Sequence, residues 1–202
     1  MEFFRRAGGA PSSVGILPGG FNPPTRAHLA LAMAALAAVD EVVWVLPRAF
    51  PHKDYAGAGF EQRLAMLRAT LADEPFCSIA ASAAGLFIDI ARECRTVYGS
   101  EVRLLVLCGR DAAQRVVNWD YGQAGAFARM LDEFELLVGT RQGPYLPPPE
   151  LRPRVHSLPL CRDYDDISST GVRERIARGE PWEHLVPPSV APLARKIYLN
   201  AL

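Results

Sequence analysis

The chain has 202 residues, 22 basic and 22 acidic, so its formal net charge is zero. That balance argues against a general nucleic-acid or anionic-membrane partner. Half the residues are hydrophobic, enough for the core of a single domain over 1–202.

Residues 1–13 carry Arg5 and Arg6 but no long apolar stretch. They read as a flexible tail and not as a secretory leader. Val14–Pro18 is then a short apolar run bounded by turn residues, which predicts a buried strand. Gly19-Gly20-Phe21-Asn22-Pro23-Pro24-Thr25-Arg26-Ala27-His28 follows, and an Ala-rich stretch predicts a helix over Ala27–Val39. Thr25 is a suitable N-cap, with His28 three residues on and on the same face. Unpaired N–H groups and the positive dipole end at such a helix start favour an anion. Taken alone, the same turn is equally that of any strand entering a helix.

Further strands are predicted at Val42–Leu46, Cys77–Ala81, Val102–Leu107 and Phe134–Val138, alternating with helices at Phe60–Ala72, Phe87–Val97 and Gly122–Leu131. This alternation predicts an α/β fold: a Rossmann-like, doubly wound parallel sheet with ligands at the carboxyl ends of the strands. A Pro-rich stretch over Gly143–Pro153 reads as a linker. A short strand near Val155–Leu158 comes next, then a C-terminal helical portion over 167–202, with helices from about Gly171 to Arg178 and ending near Tyr198. Within it, Ile167-Ser168-Ser169-Thr170-Gly171-Val172-Arg173 places hydroxyls and an arginine at a helix start. By itself this segment is an ordinary cap with a solvated Arg173, and Glu174 and Arg178 pair at i,i+4.

The four cysteines, Cys77, Cys94, Cys108 and Cys161, form neither a Cys-x-x-Cys nor a zinc pattern. Cys77 and Cys108 read as buried thiols of a reducing compartment, the cytoplasm. No run reaches the roughly eighteen apolar residues of a membrane span. Only Lys53 and Lys196 are lysines, which gives Lys53 more weight than any one arginine. The P-loop lysine and the Gly-x-Gly-x-x-Gly fingerprint are both missing, which disfavours a dinucleotide-dependent oxidoreductase.

The Gly-x-Phe-Asn-Pro-x-Thr-x-x-His-Leu segment from Gly19 to Leu29 resembles the signature of the nucleotidyltransferase superfamily, which usually ends in His-x-Gly-His. The Ile167–Arg173 segment is similar to a motif near the C-terminus of the nicotinate/nicotinamide mononucleotide adenylyltransferases. Together the two identify the chain as resembling that family, with Thr25 in place of the first signature histidine. Weaker matches lie at Pro51-His52-Lys53, Arg63 and Met66, Gly109-Arg110-Asp111, Trp119, Arg141-Gln142-Gly143, Leu185-Val186-Pro187 and Tyr198.

The resemblance implies adenylyl transfer from ATP to a mononucleotide phosphate. His28 would contact the α-phosphate, Thr25 would donate to phosphate, and Lys53 and Arg173 would neutralise it. Gly19, Gly20, Phe21, Gly109, Asp111, Ile167, Ser168, Ser169 and Thr170 would hold ATP. Asn22, Phe87, Trp119 and Arg141 would hold the acceptor. Mg²⁺ would arrive on the ATP phosphates, since no dedicated carboxylate cage is evident. Partners would be small molecules, with room for a homo-oligomer. A cytidylyltransferase on another phosphorylated acceptor and a non-catalytic nucleotide-binding module are the alternatives. Bacterial nicotinate-type members carry a hydroxyl-rich segment where this chain has Gly85-Leu86-Phe87-Ile88-Asp89-Ile90-Ala91. Only Asp89 survives, so the pyridine pocket is altered or the substrate differs, and for a pyridine mononucleotide the expected preference for nicotinate over nicotinamide is weak or reversed.

Overall fold

The computed structural model describes residues 1–50, 55–140, 145–160, 164 and 166–199. Seven strands form one sheet: β1 (Glu2–Arg5), β2 (Ser13–Pro18), β3 (Glu41–Pro47), β4 (Cys77–Ser82), β5 (Arg103–Gly109), β6 (Glu135–Thr140) and β7 (Val155–Pro159), in the order β1-β4-β3-β2-β5-β6-β7. All neighbours are parallel except β1 on β4. The expected doubly wound α/β sheet is therefore present. Its order reverses between β2 and β5, and in such sheets the ligand crevice opens at that switch point, beyond the carboxyl ends.

Residues 1–13 are not the flexible tail the composition predicts. Glu2–Arg5 adds an antiparallel edge strand. Its pleat sends Phe3 to one face and Phe4 to the other, each against a different core cluster. Four residues are too few to show that alternation in the sequence. The edge is tied down by Arg5, which donates to the carbonyls of Leu71 and Glu74.

Strand side chains alternate between two apolar layers. Ile16, Val43, Val45, Val106 and Val138 meet α3 (Phe87–Tyr98), α4 (Arg110–Val117) and α5 (Ala126–Met130) on one face. Leu17, Trp44, Leu46, Leu105 and Leu137 meet α1 (Arg26–Ala35) and α2 (Phe60–Thr70) on the other. Each fully buried Leu or Ile contributes roughly 1.5–3 kcal/mol. Two helices differ from expectation. The helix predicted over Gly122–Leu131 is confined to Ala126–Met130, because Gly122 and Gly125 sit at φ +75° and +67°, outside the helical region. The α4 helix has no counterpart among the predicted elements; its apolar positions are too sparse to show a period.

A third cluster places the second half of the site. Val172, Ile176, Trp182, Leu185 and Val190 pack α6 (Ser169–Arg178) and α7 (Ala191–Leu199) against Ala27 of α1 and Met66 of α2. The start of α6 thereby comes beside the loop that follows β2. Among the described residues, no helix is long and apolar enough to cross a membrane.

Candidate active site

Thr25 caps α1 as the sequence predicts, in an extended conformation. The capping is reciprocal. His28 N–H donates to Thr25 Oγ1 (3.4 Å), and Thr25 N–H donates to His28 Nδ1 (3.1 Å). The Thr25 hydroxyl lies 2.7 Å from that same nitrogen. Because Nδ1 accepts a backbone N–H, a neutral imidazole carries its proton on Nε2. The ring packs edge-on to Phe21 at 5.3 Å. Phe21 sits at φ +45°, a conformation costing a bulky residue roughly 1 kcal/mol or more. Burial of its ring against Trp44 and His28 offsets that. Gly19 must be glycine, since a Cβ there would stand 2.9 Å from the Phe21 ring.

Asn22 ties the loop to three other segments. Its Nδ2 donates to Ala56 O (3.0 Å), its Oδ1 accepts from Ala58 N–H (3.1 Å) and from the Tyr198 hydroxyl, and its carbonyl accepts from Arg173 Nη1 (2.6 Å). Gly57, at φ +123°, would place a Cβ 2.3 Å from Asn22 Nδ2, so a side chain there would break the tie. Ser169 adds a fourth link, its hydroxyl donating to Pro23 O (2.7 Å). Below the loop lies Arg63, 4% exposed, its Nη1 donating to Gly20 O (3.3 Å). Its guanidinium sits over Tyr55 (4.7 Å), Phe50 (5.5 Å) and Phe60 (5.7 Å). Burial lowers the pKa of Arg63, and the rings offset part of that desolvation.

Two cavities open at the switch point, and Gly20 and His28 line both. The first, of about 330 Å³, is lined by Phe21, Asn22, Tyr55, Ala56, Ser169, Thr170 and Arg173 in addition. The starts of α1 and α6 both contribute to it, which suits an anion. The second, of about 280 Å³, is mainly apolar: Leu17, Leu31, Phe50, Phe87, Leu107 and Cys108 line it, along with Gly19, Gly109 and Arg115. Burial pushes the Cys108 thiol up to about 12, so that wall stays neutral.

The residues singled out in the sequence divide accordingly. Gly20, Phe21, His28, Ser169, Thr170 and Arg173 converge on the polar cavity. Asn22, expected beside the acceptor, lines that cavity too, with both ends of its carboxamide used inside the protein. Gly19, Gly109 and Phe87 line the apolar one. Thr25 is fully buried and lines neither; its hydroxyl meets His28, so its place is that of an orienting group and not of a direct phosphate donor. Ser168 spends its hydroxyl capping α6, accepting from Gly171 N–H (3.0 Å). Ile167 is a core residue. Asp111, at the second position of α4, is exposed and lines neither cavity. Trp119, 44% exposed, lines a separate 360 Å³ hollow with Tyr121, Gln123 and Leu151.

Arg173 lies five residues past its N-cap, one turn deeper than the first-turn position predicted, because α6 starts at Ser169 and is capped by Ser168. Arg178 pairs with Glu180 (2.8 Å) and not with Glu174. His52, Lys53, Arg141 and Cys161 lie outside the described residues. Sequence reasoning missed the supports: Tyr55, Gly57, the ring cage of Arg63, and Arg115. Arg63 was visible as a motif position, but its partners come from separate segments.

A doubly wound sheet whose strand β2 leads into a capped, histidine-bearing helix, with a second helix start facing it, has the architecture of a nucleotidyltransferase. The chain belongs to the cytidylyltransferase-like family, whose model matches residues 16–175. Among its curated relatives are proteins described as probable nicotinate-nucleotide adenylyltransferases. It is 32% identical to the "probable nicotinate-nucleotide adenylyltransferase" of Shouchella clausii (strain KSM-K16), over 89% of this chain and 92% of that one. It is 31% identical to the protein of the same description from Gloeobacter violaceus (strain ATCC 29082 / PCC 7421), over 91% and 93%. In three dimensions it resembles the Plasmodium falciparum nicotinic acid mononucleotide adenylyltransferase complexed with NaAD. The TM-score is 0.70 at 16% identity, covering 91% of this chain and 95% of that one; at that identity the likeness concerns the fold.

Proposed function

We propose that this enzyme transfers the adenylyl group of ATP to the phosphate of a pyridine mononucleotide, in the synthesis of NAD. The observation that carries this is the meeting of two unlike cavities at Gly20 and His28. Polyphosphate suits the polar one, with its two helix starts and Arg173. The apolar one suits the uncharged body of a nucleotide, and the reacting phosphorus belongs where they join. The names of the relatives point to nicotinate mononucleotide as the acceptor.

An acceptor phosphate oxygen forms a bond to the α-phosphorus of ATP, the bond from that phosphorus to the bridging oxygen breaks, and pyrophosphate leaves with the electron pair. The nucleophile is already an anion at neutral pH, so the step needs no general base. Catalysis is positioning and charge stabilisation. His28 donates its Nε2 proton as a hydrogen bond to the α-phosphate oxygens, held in that tautomer by Thr25. Arg173 meets the outer phosphates with the donors it does not spend on Asn22 and Thr170, and Lys53 adds a second cation. Arg63 and Asn22 hold the loop still. Among the described residues no three His, Cys, Asp or Glu cluster to hold a metal; Mg²⁺ belongs to the ATP substrate, chelated by its phosphates.

The test is pyrophosphate release by purified protein with ATP or CTP, offered nicotinate mononucleotide, nicotinamide mononucleotide and phosphopantetheine. Turnover of ATP with a pyridine mononucleotide is expected. Turnover only with CTP, or only with phosphopantetheine, would overturn the reading.

A further inference from the structure

We propose that Arg115 selects the acceptor, by pairing with an anionic substituent on its ring. The inference rests on the adenylyl-transfer reading and assigns it a specificity-determining residue. Gly109, Ala112 and Arg115 stand three apart, from the N-cap of α4 to its last turn, and all line the apolar cavity. That spacing puts them on one helix face. Ala112 is small, so the way from the end of β5 to the guanidinium is open.

Among the described residues lining this cavity, Arg115 is the one fixed charge. Its side chain makes no hydrogen bond or ion pair among the described residues. The walls around it are Leu17, Leu31, Phe87, Leu107 and the buried Cys108 thiol. Such walls provide few competing dipoles, so an anion entering this cavity finds the guanidinium as its one counter-charge among the described lining residues. A nicotinate ring carries a carboxylate, which a guanidinium grips with two parallel N–H donors. A nicotinamide ring carries a neutral amide and gains much less.

Residues 85–91, where hydroxyls give way to apolar groups, point on their own to a weak preference. Arg115 lies outside that segment and restores the missing counter-charge. With neutral donors scarce, discrimination would fall on this one side chain. The acceptor's own phosphate is another anion Arg115 could meet, but both acceptors carry it, so contact there would not separate them.

The experiment compares kcat/KM for nicotinate and nicotinamide mononucleotide at saturating Mg-ATP, in the native enzyme and in R115Q, R115K and R115E, with calorimetric binding of each acceptor alongside. The native enzyme should prefer nicotinate mononucleotide. In R115Q the ratio should fall by roughly tenfold or more, the loss of one charge-assisted pair. R115K should keep part of the ratio and R115E should push it lowest. Arg115 is exposed, so these variants should fold. An unchanged ratio, or equal losses with both acceptors, would overturn the assignment while leaving adenylyl transfer standing. Native enzyme that neither binds nor turns over either acceptor would overturn both.

Discussion

The two cavities that share Gly20 and His28 are built on opposite principles. The polar one is lined by consecutive residues of two motifs, and its hydrogen bonds are largely internal: Arg173 to Asn22 O, Ser169 to Pro23 O, Asn22 to Ala56 and Ala58. The apolar one draws one to three residues each from β2, α1, β3, β5, α3 and α4, and is held by packing. The first is suited to a reaction that depends on fixed dipoles. The second can change its preferences by one substitution without disturbing the first. If that division is right, variants on the polar side should act on the chemical step and on the polyphosphate, and those on the apolar side on the acceptor.

The largest effect should come from His28→Ala. Its imidazole stands where both cavities meet, and a contact that strengthens in the transition state is lost in kcat. A fall of roughly a hundredfold or more is expected, with ATP binding retained by calorimetry. A near-normal kcat would remove His28 from the chemistry and with it the junction on which the comparison depends.

Arg173→Ala comes next. Loss of charge-assisted hydrogen bonds should weaken ATP and pyrophosphate by roughly tenfold or more, and AMP, which lacks the outer phosphates, by less. Arg173→Lys should rescue only in part, because one ammonium cannot hold Asn22 O and a phosphate in the fixed fork geometry of a guanidinium. Equal losses for ATP and AMP would mean that the residue only supports the loop.

The contrast also explains what could be read from the chain. The strand-to-helix turn at Pro18–Thr25 and the start of α6 depend on local chemistry: caps, glycines, prolines and an alternating apolar pattern. Those signals are contiguous, so most of the polar side was legible. Arg173's depth in α6 was misjudged because the cap falls on Ser168. On the other side, nothing local links Leu17, Phe87, Leu107 and Arg115; only the parallel pairing of β2 with β5 and the face of α4 bring them together. Trp119 shows the same limit. It matches a motif position, yet the left-handed glycines at 122 and 125 reshape the segment that follows it, and it lines a hollow of its own.

Thr25 tests whether orientation of His28 matters beyond its presence. Thr25→Val removes the hydroxyl that caps α1 and meets Nδ1, while Thr25→Ser keeps it. The valine variant should lose about 1 kcal/mol of stability, lowering Tm by roughly 2–4 °C, and kcat by roughly tenfold, less than His28→Ala. The serine variant should recover most of both. A valine variant with lowered Tm and native kcat would confine Thr25 to helix capping.

The smallest effect is expected at Cys108, and it probes the apolar wall itself. This thiol lines the apolar cavity yet is 5% exposed, and burial alone pushes it up to about 12. A raised pKa keeps the group neutral until the pH nears that value, so at pH 8 the thiol form dominates. The thiolate is the reactive form. Iodoacetamide at pH 8 should therefore label Cys108 much more slowly than in the unfolded chain, as peptide mapping by mass spectrometry would show. Acceptor KM in Cys108→Ala should move little, since a neutral thiol contributes packing and no counter-charge. Fast labelling would mean that water or the Arg115 charge stabilises the thiolate, and the wall would then be more polar than its residues imply. That outcome would also weaken the case for acceptor selection at Arg115, because a more polar wall offers competing dipoles to the charge that is meant to tell one acceptor from the other.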